Sequence, residues 1–82
     1  MDSRELKKIT ERYSLDQLEN CIRQQLERGE NRCDLVDETD TVIAELSKAT
    51  VVKELMNSGL PFSEALRELG RRIRAVYGKE ES

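Results

Sequence analysis

Residues 38–57 read ETDTVIAELSKATVVKELMN. At about 100° per residue, Val42, Leu46, Ala49, Val52 and Met56 fall on one face of a helix. Ala44, Val51 and Leu55 fall nearly opposite them. A helix that is apolar on two sides is enclosed by its neighbours. It is therefore expected to be the central element of the fold, or to turn one side toward a second copy of the chain. Asp37, Glu38 and Asp40 crowd its start, where carboxylates suit the positive end of the helix dipole and serve as caps. Gly59 ends it.

Working downstream, Leu60-Pro61-Phe62-Ser63 turns the chain and a helix restarts between Pro61 and Ser63. Phe62, Leu66, Leu69, Ile73, Val76 and Tyr77 give its apolar stripe, with Gly78 and a polar tail, residues 79–82, to end it. Gly70 stands inside this helix, where glycine is unfavourable, and a close approach by another backbone would account for it. Upstream, Asp2-Ser3-Arg4-Glu5 has capping-box spacing, followed by Leu6, Ile9 and Tyr13 as a narrow stripe. Ser14-Leu15-Asp16-Gln17 repeats that spacing, and Tyr13 and Leu18 are placed for a hydrophobic staple. Leu15, Leu18, Ile22 and Leu26 form the next stripe, stopped at Gly29. The only run able to form a strand, Cys33 to Val36, has no partner. The expected fold is all-α: a single domain, 1–82, forming a small bundle of four helices over about 3–13, 15–28, 38–57 and 62–77. The first is short and the third is central.

Composition narrows the chemistry. The chain has 82 residues, of which 37% are hydrophobic and 38% charged, so one domain with a thin core is the limit. There is no histidine, which removes His-based triads, imidazole proton shuttles and His-ligated metals. The net charge of -3 argues against global attraction to nucleic acid. No apolar run approaches the ~20 residues of a membrane span, so no membrane association is expected. The first residues, Met1 to Glu5, hold no apolar leader, which points to the cytoplasm and to reduced thiols.

Two groups of residues carry candidate chemistry. Cys21 and Cys33 are the only strong nucleophiles or soft ligands. Cys21 lies off the apolar stripe of its helix and Cys33 lies in the following connector, so two separate reduced thiols are the expected arrangement. If the connector folded back along the helix it could cover the ~12 Å from Gly29 to the level of Cys21, allowing a disulfide or a shared thiol pair. Arg67, Arg71 and Arg74, at i, i+4 and i+7, stand on one helix face beside Arg72. They suit a phosphate or the carboxylates of a partner helix. Pairing with Glu64 and Glu68 on a solvated face explains them more simply, because that face has no aromatic on which a base could stack.

Residues 30–40 form an acidic connector with five acids and one base. Its spacing fails as a calcium loop, since Val36 takes the third position and Thr39 replaces the turn glycine. A helix-turn-helix reading also fails: with Gly59 in the turn, Leu55 falls where a small residue belongs. No glycine-rich phosphate loop occurs and no cofactor is implied. The expectation is a non-enzymatic interaction module that self-associates as a homodimer and binds a protein partner through helix faces. The alternatives are nucleic-acid association through Arg67, Arg71, Arg72 and Arg74, and thiol redox or metal-linked chemistry at Cys21 and Cys33.

Overall fold

A computed structural model describes the backbone of residues 3–81 and the side chains of residues 3–75. The chain is all-helical, with no strand among the described residues. Helix α1 spans Ser3–Arg12, α2 spans Leu15–Arg28, α3 spans Thr39–Asn57 and α4 spans Phe62–Glu81. The third helix is the hub and packs against α2, α4 and α1. No described helix is long and apolar enough to cross a membrane.

Local chemistry explains most boundaries. The Ser14 hydroxyl accepts the Gln17 N–H at 3.2 Å and the Gln17 side chain accepts the Ser14 N–H at 2.8 Å, which makes the second capping box reciprocal. The box that Asp2 would begin lies outside the described residues. Gly29 closes α2 with φ +75°, in the left-handed region that glycine enters without steric cost. At the end of α3, the Leu60 N–H returns to the Leu55 carbonyl and the Gly59 N–H to that of Met56. This is the paired bonding of a Schellman stop, with Leu55 and Leu60 as its apolar contact. The start of α3 differs from expectation. Glu38 stands at the cap without a side-chain cap bond, and Asp37 instead accepts the Glu38 N–H at 2.8 Å. Gly78 does not end the last helix, which continues to Glu81.

Val42, Leu46, Ala49 and Val52 of α3 are buried, and Leu6 and Ile9 of α1 join them as their spacing implies. The face of α2 is rotated from the expected one. Leu18, Cys21 and Gln25 are buried while Leu26 is 66% exposed, which corresponds to a turn of roughly 70° about the helix axis. The cause is the connector, which folds back on α2 and draws Cys21 and Gln25 inward. In α4, Ala65 is buried along with Leu69, Phe62 and Leu66 are half-buried, and Ile73 is at the surface, 36% exposed. The side chains of Val76 and Tyr77 lie outside the described residues.

Lys53 of α3 reaches across to α1 and donates to the Thr10 carbonyl at 2.6 Å. A cation there satisfies one of the unpaired carbonyls at the end of α1 and favours its dipole. Gly70 is not held by a neighbouring backbone. A Cβ at that position meets only the Arg74 Nη1, at 3.6 Å. Gly70→Ala is therefore expected to stabilise the protein by about 0.5–1 kcal/mol, read from the urea midpoint.

Candidate functional site

The sequence singled out two thiols and four arginines, and the fold treats them differently. Cys21 and Cys33 are joined in a disulfide with a Cα–Cα distance of 6.1 Å. Both are only 3% exposed. This corrects the expectation of two separate reduced thiols. The connector does retrace the last turns of α2, so the two sulfurs meet inside the core.

A polar network reinforces that path. Gln25, 3% exposed, donates from Nε2 to the Thr39 hydroxyl at 3.0 Å and accepts from Asn31 Nδ2 at 2.9 Å. The same Asn31 amide donates to the Leu35 carbonyl, and the Asn31 Oδ1 accepts the Cys33 N–H at 2.9 Å. The end of α2, the connector and the first residue of α3 are thereby tied through one buried amide. Such a group is tolerated in a core only when its bonds are made. Nothing in the helical periodicity marks Gln25 as a core residue. Asp34 takes φ +59°, a left-handed conformation that Asp tolerates better than most residues. It also faces Arg12 at 3.9 Å in an exposed ion pair. The connector thus lies between α1 and α2, and leaves Val36 on its outer side, 96% exposed.

On α4, Glu68 collects two of the four arginines. Arg71 approaches it with Nε and Nη2, the Nε distance being 2.9 Å, and Arg72 Nε lies at 3.2 Å. The hydrogen bonds from Arg71, assisted by Arg72, hold the Glu68 carboxyl down to about 2. Glu68 in turn raises Arg71. The folded-state value lies below the ordinary carboxylate range, so this clamp is fully present above that range and is lost as pH falls toward 2. Arg67 and Arg74 make no ion pair among the described residues, and Arg74 lies back over Gly70. The fold does not gather the four guanidinium groups at one point.

The remaining feature is a shallow apolar groove between α3 and α4. It is lined by Ser47, Lys48, Val51, Leu69 and Ile73. Val51 belongs to the second apolar side of α3, so that side is only partly covered by α4. Lys48 stands in the groove, and Arg72 and Arg74 flank Ile73 along the chain. Among the described residues, no group of three or more Cys, Asp or Glu is placed to hold a metal ion. No known protein family, curated protein or solved structure matches the chain.

Proposed function

We propose that the protein is a small non-enzymatic helical module that self-associates, and binds a protein partner, through the face shared by α3 and α4. The observation that supports this reading is the open groove formed by Val51, Leu69 and Ile73 on the side of α3 opposite its buried line. In so small a chain, apolar surface left on the hub helix is the natural site for further burial. The Gln25, Asn31 and Thr39 hydrogen bonds tie the other side of the hub to the connector and leave this one available. Light scattering at micromolar concentration should give more than the 9.5 kDa of one chain. Ile73→Asp should return that mass to one chain with the helical circular-dichroism spectrum unchanged. A parent protein of monomer mass would overturn the self-association.

We place the module in the cytoplasm. Thiol pools there would keep Cys21 and Cys33 as a dithiol, whereas an oxidising compartment would preserve the bond. Alkylation of freshly lysed cells, followed by mass measurement, distinguishes the two locations.

A further inference from the structure

The Cys21–Cys33 bond is buried, yet each of its two residues lines a cleft of its own. The first cleft holds Cys21 with Tyr13, Gln17, Asn20, Gln24 and Arg32. The second holds Cys33 with Glu5, Lys8 and Asp34, beside Ile9 and Leu35. The two have no residue in common, so a route to one sulfur is not a route to the other. Their charges differ as well. The first has one cation, Arg32, and no acid. Arg32 makes no ion pair among the described residues, and its backbone N–H donates to the Gln24 Oε1 of the same cleft at 3.0 Å. The second has two acids against one lysine. Arg12 faces Asp34 there at 3.9 Å but also lies 5.3 Å over the ring of Tyr13, which belongs to the first cleft. A thiolate, the species that attacks a disulfide, is an anion and is favoured in the first cleft.

The two sulfurs also differ in their freedom to depart. Cys21 is fixed within α2, whereas Cys33 is the only buried residue of the connector, residues 30–38. A short irregular segment gives way more readily than the middle of a helix. We propose that Cys21 is a thiol-exchange site: a small anionic thiol enters the cleft beside Arg32 and bonds to Cys21, with Cys33 as the leaving sulfur. The incoming thiolate forms a bond to Cys21 Sγ, the Cys21–Cys33 bond breaks, and its electron pair leaves on Cys33. The proton that the small thiol lost on ionising ends on Cys33. A second thiolate, attacking the small molecule's own sulfur, releases Cys21 as a thiol and carries the two electrons' worth of oxidation away as a small disulfide. Breaking the bond at Cys21 frees the connector's one buried anchor, so the thiol supply sets whether the connector is latched to α2.

The test follows exchange of the oxidised full chain with reduced glutathione, quenched in acid at early times, alkylated and mapped by peptide mass. The expected first product carries glutathione on Cys21 and the alkyl group on Cys33. Arg32 is exposed, so Arg32→Glu leaves the core untouched. It should slow the reaction with glutathione by roughly 3–10-fold, and the reaction with neutral 2-mercaptoethanol much less. Lys8→Glu, in the other cleft, should leave both rates near those of the parent. Measured on the parent alone, glutathione should outpace the cationic thiol cysteamine once each rate is scaled to that on a small-molecule disulfide. Glutathione found first on Cys33, or equally on both, overturns the assignment. So does an Arg32→Glu rate equal to the parent's, or a bond that exchanges only when the chain is unfolded.

Discussion

Leu46→Ala should lower the unfolding free energy by roughly 2–5 kcal/mol, the range for emptying a fully buried leucine site. Leu46 has no exposed surface and sits on the one helix that touches the other three, so little can collapse into the space it leaves. For a chain of this length the whole stability is about 4–12 kcal/mol, so the variant loses a large share of it. The informative control is Leu26→Ala. Both leucines lie on stripes that periodicity treats alike, yet Leu26 is 66% exposed and its truncation should change stability by less than about 0.5 kcal/mol. Urea midpoints of the two variants against the parent measure the contrast. Equal losses would mean that α2 presents its Leu26 face to the core after all.

Reduction of the Cys21–Cys33 bond is the second large effect. The bond spans a sequence separation of 12 residues, for which the loss of loop-closure restraint is worth roughly 3 kcal/mol. In a domain this small that corresponds to a fall of roughly 10–20 °C in the thermal midpoint. Amides of residues 30–38 should exchange faster than those of α3, because the connector would then be held only by the hydrogen bonds of Gln24, Gln25 and Asn31, the exposed Arg12–Asp34 pair and its own packing. The Cys21→Ala, Cys33→Ala double variant should match the reduced parent in both measurements. Coincident midpoints for reduced and oxidised protein would show that the polar network suffices to hold the connector.

These expectations also separate two kinds of information. The four helices were readable because their signals are local. Ser14 and Gln17 satisfy each other within one turn, and Gly29 and Gly59 supply the positive φ that ends a helix. The central place of α3 was readable too, since no other segment carries apolar residues on opposite sides. Acid capping of α3 was a local inference that failed: Glu38 stands at the cap without a side-chain cap bond, and Asp37 accepts the Glu38 N–H instead of one inside the helix.

Of the candidate site, the residue types were legible and their grouping was not. Glu68 lies three and four residues before Arg71 and Arg72, so that clamp follows from helical spacing. Gln25 gave no signal, because its burial depends on Asn31 and Thr39, which reach it only after the connector has folded back.

The sequence by itself thus determined the number of helices, the Ser14 capping box, the stops at Gly29 and Gly59, and the hub. Only the tertiary structure decided the rotation of α2, the joining of Cys21 to Cys33 and the exposure of Val36 and Ile73. The physical reason is that a helical period defines a stripe but not the neighbour that covers it. Which residues of α2 turn inward was settled by the path of an irregular connector, and that path is fixed by bonds between residues far apart along the chain.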